Sequence, residues 1–290
     1  MDERDALALV GDAVPSAGDD AAVVGTTVVT TDMLHETTDF PDGTTRYTAG
    51  WRAVGASLSD VAAMGADATA AVAVYAAPTF EPDPLAAFLD GANEVCERVD
   101  ATYAGGDLDT HAEFTVATTA LGETSDPVGR DGAAVGDRIC VTGALGRSAA
   151  GLRYFEQGDP GQGNELFRFT PRVAAGQALA PYATAMMDSS DGLARSVHQL
   201  AAASDFGMAI EGDAVPVADA VEAVADGDAD RRELSMFFGE DFELVCTVPA
   251  DDVATAQREC PVSLSVVGEV TATGVTLDGD ALPDRGYTHG

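Results

Sequence analysis

Residues 48–65 read Thr-Ala-Gly-Trp-Arg-Ala-Val-Gly-Ala-Ser-Leu-Ser-Asp-Val-Ala-Ala-Met-Gly. Trp51, Val54, Leu58 and Val61 recur at three- and four-residue spacing, which predicts a helix with one core stripe, closed by Gly65. At about 3.6 residues per turn Asp60 falls on a neighbouring face, among Ala53, Ala56, Ser57, Ala63 and Met64. Most of those side chains are small and let a partner approach closely. An ordinary Asp belongs on a solvated face, because carboxylates are almost never fully buried without a partner. In these surroundings, with Arg52 as the cation of its own helix and two turns away, Asp60 is expected to meet a metal ion or a dense hydrogen-bond network.

Upstream, Gly18-Asp19-Asp20 is a turn signal before the short apolar strand Ala21-Ala22-Val23-Val24. A second strand over 28–32 alternates so that Val28, Thr30 and Asp32 share a face and Asp32 stands at its end. The polar stretch 35–40, which contains Asp39, reads as a loop. Downstream, a buried strand is expected over 69–77, a connection over 78–84 and a helix over 85–99 with Leu85, Phe88, Leu89, Ala92 and Val95 inward. Gly105-Gly106-Asp107 then reads as a strand end, where two glycines let backbone amides approach a phosphate while the acid takes a cation. A further strand is expected over 114–121. The turn-rich segment 130–137 marks the domain boundary, giving domains 1–137 and 138–290.

In the second half a strand over 138–142 leads into a helix to 157, a Gly-rich surface loop over 158–163 and a helix over 171–182. Asp188-Ser189-Ser190-Asp191 sets two acids three apart with hydroxyls between them, on a strand-to-helix turn. That pattern offers hard oxygen ligands and an N-cap within one turn. A helix to 204, a strand over 208–210, a strand through 238–245 and a last large one over 262–270 complete the pattern. Alternating strands and helices in both halves indicate two α/β or α+β layers.

Composition narrows the chemistry. The 290 residues are 46% hydrophobic, enough for a sizeable core and two domains. No apolar run approaches 18 residues and the first five residues, Met-Asp-Glu-Arg-Asp, are acidic, so a cytoplasmic protein without a membrane span is expected. Cys96, Cys140, Cys246 and Cys260 lie far apart with no Cys-x-x-Cys pair, which argues against zinc and a disulfide framework. Acidic residues number 49 and basic ones 15, for a net charge of -34, and all 15 basic residues are arginine. Without lysine there is no P-loop lysine and no Schiff base. The acid excess repels nucleic acid and anionic membrane, destabilises the fold at low salt, and suits a salt-rich, halophilic cytoplasm.

The candidate ligands Asp19, Asp32, Asp60, Asp107, Asp188 and Asp191 therefore suit several Mg²⁺ ions carrying a polyphosphate. Gly18-Asp19-Asp20-Ala21-Ala22, Thr31-Asp32-Met33-Leu34, Leu58-Ser59-Asp60-Val61-Ala62-Ala63-Met64-Gly65, Gly105-Gly106-Asp107, Asp188-Ser189-Ser190-Asp191-Gly192-Leu193 and Gly239-Glu240-Asp241-Phe242-Glu243-Leu244 resemble, in order and across nearly the whole chain, the motifs of the thiamine-monophosphate kinase family. The resemblance implies a two-domain aminoimidazole-ribonucleotide-synthetase-like fold, with an N-terminal α/β domain whose sheet pairs in a homodimer and a C-terminal α+β domain. It implies transfer of a phosphoryl group from ATP to thiamine monophosphate. On that pattern Asp19, Thr30, Thr31, Asp32, Asp60, Asp107, Asp188 and Asp191 hold Mg²⁺. Gly105, Gly106, Asp107, Arg130 and Ser190 meet ATP, and Asp60, Asp107 and Arg130 carry the transfer. Asp39, Glu240 and Tyr287 fall at the thiamine end. Asp39 stands where many members have histidine, and Phe238 replaces the first glycine of the usual Gly-Gly-Glu-Asp.

An acceptor phosphate is already ionised near neutral pH, so direct in-line transfer needs cations rather than a general base. Alternation along a 238–245 strand puts Glu240 and Phe242 on one face, where they and Tyr287 could wall the cationic thiazolium. Three other readings are open: an amidine-forming synthetase of purine biosynthesis, other superfamily relatives that activate a carbamoyl oxygen or make selenophosphate, and a non-catalytic nucleotide- or calcium-binding module. The selenophosphate and hydrogenase-maturation relatives would want a reactive Cys near one terminus, and here no Cys precedes Cys96 and the chain ends Tyr287-Thr288-His289-Gly290.

Overall fold

A computed structural model describes residues 9–11, 13–14 and 17–287. The acidic start at residues 1–5 and the end after Tyr287 lie outside the described residues. Strands β1 (Ala22–Val24), β2 (Thr27–His35), β3 (Asp67–Ala77), β4 (Thr102–Thr110) and β5 (Thr115–Glu123) form one sheet in the order β1-β2-β5-β3-β4. Only β3 and β4 pair in parallel, and the helix Pro82–Glu97 supplies the crossover that parallel neighbours require.

The helix Arg46–Ala63 packs on the inner face of this sheet. Thr45 caps it by accepting the Thr48 N–H, and Gly65, at φ 65°, turns the chain out of it. Trp51, Val54, Leu58 and Val61 are all buried, but so is nearly every other residue, so the helix is a core rod rather than a one-faced amphipath. It crosses Pro82–Glu97 closely because a Cβ at Gly50 would lie 2.2 Å from the Phe88 carbonyl, and one at Gly91 would lie 2.0 Å from that of Tyr47.

The second sheet comprises β6 (Arg138–Thr142), β7 (Ala185–Asp188), β8 (Gly207–Ile210), β9 (Leu244–Val248), β10 (Leu264–Thr271), β11 (Val275–Leu277) and β12 (Asp280–Ala281). Its order is β12-β11-β8-β10-β6-β9-β7, antiparallel except for β8 with β11. Helix Leu193–Ser204 packs on it, and Asp228–Met236 packs in turn on that helix and on Arg147–Glu156. The four cysteines are free and buried, with Cys140 opposite Cys246 across β6 and β9.

Several local expectations are corrected. The 35–40 loop contains a one-turn helix, Glu36–Asp39. The Gly-rich stretch 158–163 is not a loop, because Asp159 accepts the Gln162 N–H and Pro160 opens the helix Pro160–Phe167. Asp32 lies inside β2, not at its end, and Gly105-Gly106-Asp107 runs through the middle of β4. The segment 238–243 is not strand at all, since Gly239, Glu240 and Phe242 have φ of 85°, 61° and 54°.

Candidate active site

The central helix and β2 meet at Asp60. Thr30 Oγ1 donates to Asp60 Oδ2 at 2.5 Å, and Ser57, one turn earlier on the helix, donates to Asp32 Oδ2 at 2.6 Å. Ser57 is also 2.7 Å from Thr118 Oγ1 on β5, so the acids are held by a row of hydroxyls. Across the gap, β7 ends at Asp188, whose Oδ2 is buried with no well-formed hydrogen bond among the described residues, Ser59 being the hydroxyl nearby. The bend before β1 supplies Asp20. Oxygens of Asp20, Asp60 and Asp188 lie within 4.8 Å of one another.

Crowding three acids out of water has an electrostatic consequence. Burial, then Asp32, Asp188 and Asp20, push the Asp60 carboxyl well above the usual carboxylate range. Burial and the charge of Asp20 push Asp188 up to about 8. One guanidinium answers them: Arg130 donates to Asp20 from Nε at 3.2 Å and Nη2 at 2.9 Å. Such a set of hard oxygens, one of them without a well-formed hydrogen bond, fits a divalent cation such as Mg²⁺.

Other sequence-selected residues are distributed around this centre. Asp19 is exposed and turned away, its Oδ1 accepting the Arg130 N–H at 2.7 Å. Thr31 points to the opposite face of β2 from Thr30, where it bonds the Thr118 carbonyl. Ser190 accepts the Glu240 N–H at 2.6 Å through its carbonyl, and Asp191 accepts that of Tyr287. Gly192, not an aspartate, is the N-cap of Leu193–Ser204, with φ 97° and no side-chain cap. The expectation of a capping acid there is corrected.

Asp107 does not join Asp60 within the chain. Asp32, Thr118, Ala73 and Gly106 form one row across the sheet, which puts Gly106 three strand spacings, about 14 Å, from Asp32. Asp107 pairs in register with Val74, which is exposed on the outer face. Gly106 is required where it stands: a Cβ would lie 1.7 Å from the Ala73 carbonyl. Beside it a cavity of about 380 Å³ is lined by Tyr75, Phe88, Leu89, Tyr103 and Asp107.

At the other end, Asp39, Tyr287 and Glu240 converge. The Tyr287 hydroxyl donates to Asp39 Oδ1 at 3.3 Å, and Asp39 Oδ2 accepts the His35 N–H. Burial and the nearby charges of Asp39 and Glu240 push the Tyr287 phenol up to about 12. Glu240 is ion-paired with Arg52 at 2.5 Å. Phe242 is not a wall beside it, because its ring is buried in a stack on Phe169 at 4.3 Å. The non-glycine residues Glu240 and Phe242 with positive φ each cost on the order of 1–3 kcal/mol, so surrounding contacts must hold them.

Sequence reading passed over Asp20, Ser57 and Arg52. Asp20 is the second of two adjacent acids at a turn, and only Ala21, buried behind it, marks the inward side. Ser57 signals itself as a hydroxyl one helical turn before Asp60. Arg52 signals itself as the one cation amid small and apolar neighbours.

Residues 18–124 match the family described as AIR synthase related protein, N-terminal domain, and residues 134–279 its C-terminal domain. The thiamine-monophosphate kinase of Halobacterium salinarum is 62% identical over 100% of both chains, and that of Methanospirillum hungatei is 38% identical over 100% of this chain and 99% of its own. The solved complex of AaThiL with AMPPCP and TMP superposes with a TM-score of 0.89 at 26% identity, covering 100% of this chain and 97% of that one. The thiamine-monophosphate kinase of Stenotrophomonas maltophilia superposes at 0.83 with 30% identity over 96% of each chain. Its two-sheet fold, its acidic centre and these full-length likenesses agree: the chain belongs to the thiamine-monophosphate kinase family.

Proposed function

We infer that this protein transfers the γ-phosphoryl group of ATP to thiamine monophosphate, giving thiamine diphosphate and ADP. The observation that carries the reading is the buried Asp20, Asp60 and Asp188 constellation beneath Arg130, in a chain of this family. Those three acids, with Asp32 and the Thr30 hydroxyl beside them, would hold Mg²⁺, and Asp191 on the turn after β7 extends the set; the Thr31 hydroxyl, on the opposite face of β2, and the exposed Asp19 carboxylate lie apart from it. When bound, Mg²⁺ neutralises phosphate charge.

The residues themselves account for the rest. Arg130 brings a guanidinium to a site otherwise lined with acid, and its bond to Asp20 fixes its direction. The acceptor phosphate is its own nucleophile, so no side chain must remove a proton and transfer proceeds in line without a phosphoenzyme. The cavity beside Gly105, Gly106 and Asp107 suits the nucleotide base, and Ser190 borders its phosphates. Asp39, Glu240 and Tyr287 put two carboxylates and an aromatic ring at the acceptor end, which suits a cationic thiazolium.

The reading extends to a homodimer in the cytoplasm, with domains 1–137 and 138–290. The outer face of the first sheet exposes Met33, Val72, Val74 and Leu121, an apolar row suited to a second copy. A partner's sheet over that face would also cover Asp107, which a single chain leaves apart from Asp60. No helix among the described residues is long and apolar enough to cross a membrane.

The deciding experiment follows ADP release by the purified protein in molar KCl with Mg-ATP. Thiamine monophosphate, free thiamine and formylglycinamidine ribonucleotide are offered in parallel. Turnover with thiamine monophosphate alone is expected. Turnover with the ribonucleotide, or ATP binding without any turnover, overturns the reading.

A further inference from the structure

Arg52 shares its helix with Asp60 and precedes it by eight positions, about 12 Å along the axis. It is 2% exposed, which an arginine tolerates only when its charge is paired and its donors are used. Nη1 donates to the Phe167 carbonyl at 3.0 Å and to Ser148 Oγ at 3.3 Å. Nη2 donates to Glu240 Oε2 at 2.5 Å and to the Glu240 carbonyl at 3.3 Å. The flat cation lies over the Phe167 ring at 4.5 Å, within reach of Phe242 at 5.5 Å and Phe169 at 5.8 Å. One side chain of the first half thus grips three segments of the second.

What it grips most tightly is the loop in positive-φ conformation. On its far side that loop is hydrogen-bonded to the turn after β7: Glu240 N–H to the Ser190 carbonyl, Phe242 N–H to that of Ser189, and Ser189 N–H to that of Glu243. From within its own half it is held by Ser148 Oγ, which donates to the Glu240 carbonyl, and by Asp241, which accepts the Gly146 and Ser148 N–H groups. The Glu240 side chain is 22% exposed, so its carboxylate has Arg52 on one side and open space on the other. Without Arg52 nothing from the Asp60 helix would set the direction of that carboxylate.

We propose that Arg52 is a positioning residue for the acceptor end, fixing where Glu240 points and holding the 239–243 loop against the turn that follows Asp188. The proposal rests on Glu240 being an acceptor contact, as read above. Arginine is suited to this because its planar fork reaches a carboxylate and a carbonyl together, which a lysine ammonium does not.

The test is steady-state kinetics in molar KCl, varying each substrate in turn, for the wild type, Arg52→Met, Arg52→Lys, Glu240→Gln and the Arg52→Met/Glu240→Gln double variant. Arg52→Met is expected to raise the acceptor KM about tenfold while the ATP KM stays within about twofold. The double variant should match Glu240→Gln alone, since Arg52 acts through that carboxylate. Arg52→Lys, which keeps the charge and the fold, should raise the acceptor KM about threefold and decides the matter if Arg52→Met does not fold. An unchanged acceptor KM in Arg52→Lys, equal increases for both substrates, or additive effects in the double variant would overturn the proposal. The wild-type assay judges the reaction separately, and should another phosphate acceptor be turned over, the same ratios are read with it.

Discussion

Thr30 on β2 donates its hydroxyl hydrogen to Asp60 on the central helix at 2.5 Å, tying strand to helix at the point where three acids converge. That bond lowers the cost of an ionised Asp60 but does not cancel burial and the pull of Asp32, Asp188 and Asp20. Asp60→Asn keeps the volume and an oxygen for Thr30 while removing one of the repelling charges. The variant is expected to fold and to melt no lower than the wild type without Mg²⁺, yet to turn over about 10²- to 10³-fold more slowly. Thermal melts with and without MgCl₂, beside kcat, check this: a variant with normal turnover, or one that simply unfolds, contradicts the ligand role.

Two adjacent acids should behave differently. The Asp20 side chain is 1% exposed, joins Asp60 and Asp188, and holds the Arg130 fork, whereas Asp19 is exposed and accepts one backbone N–H. Asp20→Asn is therefore expected to reduce turnover by at least about 10²-fold and to raise the Mg²⁺ concentration for half-maximal rate. Asp19→Asn should cost about tenfold less than that. Equal losses in the pair would place both carboxylates on the metal.

The difference between Asp19 and Asp20 also marks how far the sequence could be read. The Trp51, Val54, Leu58 and Val61 spacing predicts the central helix, and Asp60 stands out on it by its small neighbours alone. Period and spacing do not say which of two neighbouring acids at a bend turns inward, because that depends on how the bend docks against Arg130, over a hundred residues away. The same holds for the 238–243 segment. Its Phe-Gly-Glu-Asp-Phe-Glu run alternates like a strand, yet three positive φ angles, latched by Arg52 and Asp241, break it into a loop. Asp107 was legible as an acid behind two glycines, but its face of the sheet was fixed by register with Val74.

A net charge of -34 with no lysine to offset it implies strong self-repulsion in dilute buffer. The close ion pairs among the described residues do not balance it, because many of their carboxylates and guanidinia are partly exposed and each such pair contributes roughly 0–1 kcal/mol. The melting temperature is expected to rise by more than about 10 °C between 0.1 M and 2 M KCl, as the Debye length shrinks from about 10 Å to below about 3 Å and screens the repulsion between closer charges that is still felt at the lower concentration. Scanning calorimetry at both salt levels measures it. Equal melting temperatures would show that the acid excess is carried without cost.

The last prediction concerns Asp241, whose carboxylate is buried at the start of the helix Arg147–Glu156 and accepts N–H groups from Gly146 at 2.5 Å and Ser148 at 3.0 Å. Those donors pull its pKa down, but burial outweighs them and pushes it up to about 7. In the unfolded chain an aspartate ionises near about 3.9. Below that value both states hold the proton and the contribution to stability is complete. Between about 4 and 7 the unfolded chain has released its proton while the folded one retains it, so stability falls with rising pH by up to roughly 1.4 kcal/mol per unit. Above about 7 both are ionised and the loss is finished. Asp241→Asn does not titrate, and every other group is common to both proteins, so the difference in unfolding free energy isolates Asp241. Urea unfolding in molar KCl should show the wild type losing about 2 kcal/mol relative to Asp241→Asn from pH 5 to pH 7 and little more up to pH 8. A constant difference across that range would mean that the two N–H groups keep Asp241 ionised throughout, and that the helix start, rather than burial, sets its charge.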